Sequence, residues 1–290
     1  MLLWKITQPI FAGEMFHMSN GPLTQTIAAA TVAADHILSL SNLPPEADTL
    51  KNTATEFNTS LRPQLLEMQS RVLATAGSAT TALTGVQTDI IDNKGVPDPT
   101  VRTEIVRTLT SVQAELVSLV SMTKAADLAT DEYYEKVTAG SRILSALSGG
   151  LDAQRNGMQM QLQSAQAEVA SIKDKMKYYG ILGLAGLPGL IAMGVLLSKA
   201  NDNVNEASGR VRTLDNQILQ IDQTLLAVRA MQADFQNLST STLSVKNATE
   251  FVFADVDHAL SDVEHSTGPI AILYITTALN ELQTLANDAS

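Results

Sequence analysis

Apolar positions along most of the chain recur every three or four residues, the helical period, and no segment of any length alternates apolar and polar residues with period two. The clearest run opens after Val96-Pro97-Asp98-Pro99, a stop-and-restart signal. Its seam of Ile105, Leu109, Val112, Leu116 and Leu119 alternates steps of four and three, as a coiled-coil seam does. The register continues through Ala126, Tyr133, Val137, Leu144, Leu147 and Leu151, then more weakly through Met158, Ala165 and Ile172. No proline interrupts residues 100–177. At ~1.5 Å per residue they predict one helix roughly 115 Å long, with Gly149-Gly150 as a place to bend.

A second long run spans Val204 to about Thr242, with the seam Val211, Leu214, Ile218, Ile221, Leu225, Val228 and Phe235. A third covers Leu50 to Ile91, where Val72, Ala76, Ala79, Leu83, Val86 and Ile90 share one face. Pro63 either kinks that helix or marks its start. Leu23 to Leu40, Val245 to Val263 and Ile270 to Leu285 read as shorter helices, the last two separated by Gly268-Pro269. Each helix has one stripe to bury, and long stripes bury best side by side. The predicted fold is all-α: an elongated antiparallel bundle of five to six long helices.

One stretch breaks the pattern. Residues 178–198 carry no charge, from Tyr178-Tyr179 through Leu187-Pro188-Gly189 to Ser198. Lys173, Lys175 and Lys177 precede it and Lys199 follows. Three readings fit such a segment: a hairpin buried in the core, a single-span anchor, or a hairpin that inserts into a membrane. Pro188-Gly189 near the middle argues against one straight span. So do the long helices on either side, which need to pack on each other. The inserting hairpin also accounts for the basic flanks and the paired tyrosines, since aromatic rings and lysines settle at the membrane interface. Each nine-residue leg would reach only ~13 Å, about half of a ~30 Å hydrocarbon core, so the head is expected to enter one leaflet. On this reading residues 1–177 and 199–290 form the two halves of a tail bundle, and residues 178–198 form an apolar hairpin head. Tyr178, Tyr179, Ile181, Leu182, Leu184, Leu187, Pro188, Leu190, Ile191, Met193, Val195, Leu196 and Leu197 would bind the membrane. Lys173, Lys175, Lys177 and Lys199 would contact headgroups.

Composition narrows the picture. The 290 residues carry 19 Lys+Arg against 30 Asp+Glu, a net charge of −11, which disfavours nucleic acid as a partner. The chain has no cysteine, which excludes disulfides, thiolate metal sites and a cysteine nucleophile. Aromatics make up 4% and the apolar content is mainly aliphatic, which favours helices over a β-sandwich. Residues 1–21 do not read as a signal peptide, because Lys5 is their only basic residue and no long apolar run follows it.

Signals for catalysis are weak. Asp255, His258, Asp262 and His265 are spaced to share one helical face and could in principle hold a metal, but Asp257 and Glu264 make a solvated acidic face the simpler reading. His17 and His36 are isolated. Gly183 to Gly189 lacks the preceding strand and the Lys-Ser/Thr of a phosphate cradle. No catalytic set, metal or cofactor is expected.

The proline-free helix ending in Lys173-Asp-Lys-Met-Lys-Tyr-Tyr179, the apolar hairpin through Leu187-Pro-Gly189 and the return helix through Asn216-Gln-Ile-Leu-Gln220 resemble the cytolysin A family of α-helical pore-forming toxins. That family includes multi-component haemolysins and enterotoxins. The resemblance rests on helix order and head position, and it covers nearly the whole chain. It implies a tail bundle with a membrane-binding head set between two helices, secretion, action at a target-cell lipid membrane, and oligomers assembled with homologous subunits or copies of the chain. The short head, with no second long apolar segment, fits a component of a multi-protein toxin. The competing reading is a membrane-anchored coiled-coil structural or signalling protein.

Overall fold

The computed structural model describes residues 21–40, 45, 48–93, 98–181, 187–265 and 268–290, with backbone alone at 178–181, 187–193 and 268–269. Among these residues the fold is all-α, with no strand. The helices are α1 (Pro22–Ser39), α2 (Asp48–Glu56), α3 (Arg62–Asp92), α4 (Pro99–Ile181), α5 (Leu187–His265) and α6 (Gly268–Ala289). A π-helical turn, Phe57–Leu61, joins α2 to α3.

That turn resolves the two readings of Pro63. Proline offers no N–H, and its ring crowds the carbonyl four residues back, so the α-helical ladder fails just before it. The backbone lengthens by one residue, and the Arg62 N–H bonds to the Phe57 carbonyl instead. The stop-and-restart signal at Asp98-Pro99 is also realised. The Asp98 carboxylate accepts the Thr100 N–H at 2.7 Å, and Pro99 occupies the first turn of α4, where no N–H is required. Val204–Thr242 and Val245–Val263 differ from the expectation, since they belong to one helix. No glycine or proline separates them, and the Thr242 and Thr249 hydroxyls bond back to the carbonyls of Ser239 and Val245 within the helix.

The chain divides into two compact units. One contains α1 as far as Ala28, Pro63–Leu128 and Leu238–Ser290. Here α3, the start of α4, the end of α5 and α6 run antiparallel. Ser78 donates to Glu115 at 3.0 Å, Gln113 to Asp257 at 2.7 Å, and Gln87 to Thr276 at 2.8 Å. Its core holds Leu65, Met68, Val72, Leu83, Leu109, Leu116, Val252 and Ile275, all at most 1% exposed. A half-buried ion pair, Lys246 to Asp127 at 2.9 Å, crosses between α5 and α4. Gly21 closes the end. Its N–H bonds to the Ser290 carbonyl at 2.8 Å, and a Cβ there would stand 2.2 Å from the Asn287 carbonyl oxygen.

The other unit contains Ala29–Arg62 and Ala129–Asn237. Phe57, the first residue of the π turn, meets Phe235 edge-on with ring centroids 4.9 Å apart, and Tyr133 stacks on Phe235 at 6.4 Å. Lys136 lies over the Tyr133 ring and pairs with Glu56 at 3.2 Å. That bond to Glu56 raises the lysine pKa, and burial raises that of the Tyr133 phenol. Gly140 lets α2 approach α4, because Leu50 fills the place a side chain would take.

Candidate membrane interface

The second unit carries the α4–α5 pair that leads to the uncharged stretch. Three polar bridges fix its register. Gln232 donates to the Thr138 hydroxyl at 3.1 Å, Ser148 donates to Asp222 at 3.0 Å, and Arg155 pairs with Asp215 at 3.8 Å. Ten residues forward on α4 match ten back on α5, then seven match seven, so the helices run antiparallel without slippage. An open groove between them, lined by Met158, Gln161, Ala165, Glu168, Asn203 and Ala207, keeps the same register further along. These bridges escaped the sequence reading. Their signal was the equal spacing of polar residues flanking both seams, which becomes readable only once two helices are known to pair.

Seam burial falls along α4, while Val211, Ile218 and Ile221 on α5 stay buried. Tyr133, Val137 and Leu144 are buried, whereas Leu147, Leu151, Met158, Ala165 and Ile172 are half-buried. Contacts from α2 reach α4 at Lys136 and Gly140, the π turn reaches α5 at Phe235, and further along α4 and α5 pack on one another. Val169 on α4 and Ala200 on α5 are the last buried seam positions before the uncharged stretch.

The expected site residues fall into three groups. Lys173, Lys175, Lys177 and Lys199 are all exposed, and Lys177 lies 3.9 Å from Asp174 in a pair open to solvent. Val195 and Leu196 are 63% and 54% exposed, and Leu197 is half-buried. Leu182 and Leu184 lie outside the described residues, as do the side chains of Tyr178, Tyr179, Ile181, Leu187, Pro188, Leu190, Ile191 and Met193. The helix bounds do correct one detail. Because α5 begins at Leu187, Pro188 and Gly189 stand in its first turn and not at the tip of a hairpin. A first-turn proline leaves no intrahelical bond unmade. Among the described residues, no helix is long and apolar enough to cross a membrane.

The acidic, histidine-bearing face of α5 takes on packing roles. The Asp262 carboxylate accepts the Ala271 N–H at 2.9 Å, capping α6, and His258 stacks on Tyr274 at 5.1 Å. The His265 ring lies 2.8 Å from the Ser261 carbonyl, and burial raises the Asp255 pKa. Among the described residues no group of three or more His, Asp or Glu is placed to hold a metal.

No family model and no curated protein matches the chain. Solved structures do. The soluble AhlC triple head mutant of the tripartite α-pore-forming toxin AHL, from Aeromonas hydrophila, matches with a TM-score of 0.84 at 30% identity, over 93% of this chain and 98% of that one. The chain belongs to the family of tripartite α-pore-forming toxin components. Soluble AhlC from the same organism matches at 29% identity with a TM-score of 0.83, over 94% of this chain and 98% of that one. The AhlB pore of AHL, at 12% identity and a TM-score of 0.54 over 91% and 97%, shares the fold alone. For a toxin component the α4–α5 pair is the element of interest, because it brackets the uncharged, lysine-flanked stretch 178–198.

Proposed function

We propose that this toxin component binds its target membrane through residues 178–198 and then assembles with partner subunits into a lytic pore. The observation that carries this reading is the placement of 21 uncharged residues at the α4–α5 connection, beyond the last buried seam positions and with Val195 and Leu196 among them exposed. The α4 seam that leads to it is half-buried from Leu147 to Ile172 apart from Val169, which favours a head over a core hairpin. The AhlC relative is described as a head mutant, which agrees with a functional head in this family. Secretion, action on a target-cell membrane and oligomerisation with homologous subunits or with further copies of the chain belong to the same proposal.

The helical start of α5 sets the reach. Residues 187–197 rise about 16 Å as a helix, near half of a ~30 Å hydrocarbon core. The head therefore enters one leaflet, and the conducting path requires partner subunits. Lys173, Lys175, Lys177 and Lys199 stay at the headgroups, with Tyr178 and Tyr179 at the interface. Liposome flotation and dye release, with the chain alone and with its partner subunits, test the proposal. The chain should bind vesicles alone and release dye only with partners. Leu184→Glu with Leu190→Glu should abolish binding while the tail stays helical, since a charge in hydrocarbon costs roughly 2.5–3.5 kcal/mol on insertion scales. Wild-type binding by the double variant, or loss of its helicity, would favour the core hairpin. Protease cleavage of the Lys177 and Lys199 flanks from opposite sides of the bilayer would favour the single-span anchor.

A further inference from the structure

The neck beneath the head has its own electrostatic character. Residues 169–200 contain four lysines and one aspartate, a local charge of +3 in a chain of −11, so all other residues together carry −14. The register of α4 against α5 gathers these lysines. Ser148 opposite Asp222 and Arg155 opposite Asp215 place position 199 level with position 171. At ~1.5 Å per residue, Lys199 and Lys173 to Lys177 then occupy a band about 9 Å tall. All four are exposed, and the only carboxylate within the band, Asp174, is exposed too. Glu168 and Asp202 stand at the same level of the pair on the side away from the head, both exposed, and Glu206 just behind them is held by Arg210 at 2.7 Å. The neck is therefore positive next to the apolar stretch and negative immediately behind it.

Such a gradient orients the pair on a negative surface and is repelled by it in any other pose. Zwitterionic headgroups offer no net field to it. We propose that the neck selects anionic lipid headgroups, so that the membrane bound by this component is one whose accessible leaflet is rich in acidic phospholipid. The proposal rests on the head-binding reading above and adds the lipid class. The remaining −14 charge strengthens the discrimination, because a tail lying flat on an anionic surface is repelled.

Each lysine near an anionic surface is worth about fivefold in partitioning. Three net charges then give on the order of a hundredfold preference for anionic over zwitterionic vesicles at physiological salt. The test compares flotation of the full chain with phosphatidylcholine vesicles and with vesicles carrying 30% phosphatidylglycerol, beside the K173Q/K175Q/K177Q/K199Q variant. All four positions are exposed and glutamine keeps the helix, so the variant should show unchanged far-ultraviolet circular dichroism. Wild type should prefer anionic vesicles by about a hundredfold. The variant should bind phosphatidylcholine as before and lose most of that preference. In 1 M salt, where the Debye length is about 3 Å, the wild-type preference should collapse likewise. Equal wild-type binding to both vesicle types would overturn the inference and leave the head reading intact. A preference unchanged in the variant would also overturn it. Binding to neither vesicle type would sink the head reading, and the inference with it.

Discussion

Gly140 offers a sharp test of the packing between α2 and α4. A Cβ at this position would lie 2.3 Å from Leu50 Cδ2 and 2.7 Å from its Cγ, and Leu50 is 1% exposed. Leu50 would have to change rotamer or push α2 outward, and such overpacking costs about 1–3 kcal/mol. Against that, alanine gains about 1 kcal/mol over glycine inside a helix. The net effect of Gly140→Ala is a destabilisation of about 0–2 kcal/mol by these two figures. Gly157 on the same helix has nothing within 4 Å of its Cβ site, so Gly157→Ala keeps only the propensity gain, about 0.5–1 kcal/mol. Equilibrium urea unfolding followed by circular dichroism separates the two, because their signs differ. Equal stabilisation by both substitutions would refute the reasoning. A second background sharpens it. Leu50→Ala opens a cavity at a cost of about 2–5 kcal/mol, and Gly140→Ala added to it returns a methyl to vacated space. The Gly140 substitution should then become favourable. If its cost is the same in both backgrounds, Leu50 is not the neighbour that decides.

Phe235→Ala should cost about 3–5 kcal/mol, since it empties the space between Phe57 and Tyr133, and a thermal melt reads it directly. Asp98→Ala should cost about 1 kcal/mol through loss of the α4 cap, measurable as a lower urea midpoint. Lys246→Met should cost about 1.5–3 kcal/mol, because it strips the charged partner from buried Asp127, and Asp127→Asn in that background should recover part of the loss. Burial raises the Asp234 pKa in the folded chain, so its ionised form opposes folding. That penalty is absent below the unfolded carboxyl pKa and complete above the folded one, so Asp234→Asn should be the more stable at pH 7, with the gap closing as pH falls. A gap that widens on acidification would contradict the sign.

Much of the fold was legible because the chain is repetitive in a physically simple way. The seams at Ile105 to Leu144 and at Val72 to Ile90 are buried as their spacing demands, since a helix with one apolar stripe has few ways to satisfy it. Punctuation was legible where it is covalent, at Asp98-Pro99 and Gly268-Pro269. It failed around Thr242. A cluster of serine and threonine reads as a break because these side chains compete for backbone groups, yet inside a packed helix their hydroxyls turn inward to carbonyls of the preceding turn. The π turn was half-legible: Pro63 announces a disturbance, but not whether the backbone bends or inserts a residue. The site was legible as composition and not as geometry. A charge-free run and four flanking lysines stand out in the sequence, whereas the level at which Lys199 meets Lys173 depends on bridges such as Ser148 to Asp222, which no single helix reveals.

The falling burial along α4 ties these observations to the toxin family. Near Tyr133 and Phe235 the pair is covered by α2 and the π turn, and its seam is closed. From Leu147 to Ile172 the α4 seam is half-buried apart from Val169, the facing Val211, Ile218 and Ile221 of α5 stay buried, and the bridges at Asp222 and Asp215 are exposed to solvent and salt. Free energy of opening is lowest where few apolar contacts must be broken. On the proposed head-binding function, release of the apolar segment at a membrane needs the least cooperative section of the chain next to that segment. Residues 147–177 and 194–210 have that character, and the closed core at Phe235 has the opposite one. Hydrogen exchange should therefore run fastest, outside the helix ends, in those two stretches. Slow exchange there, matching that at Leu144 and Val228, would mean that the neck is as rigid as the core and that any rearrangement begins elsewhere.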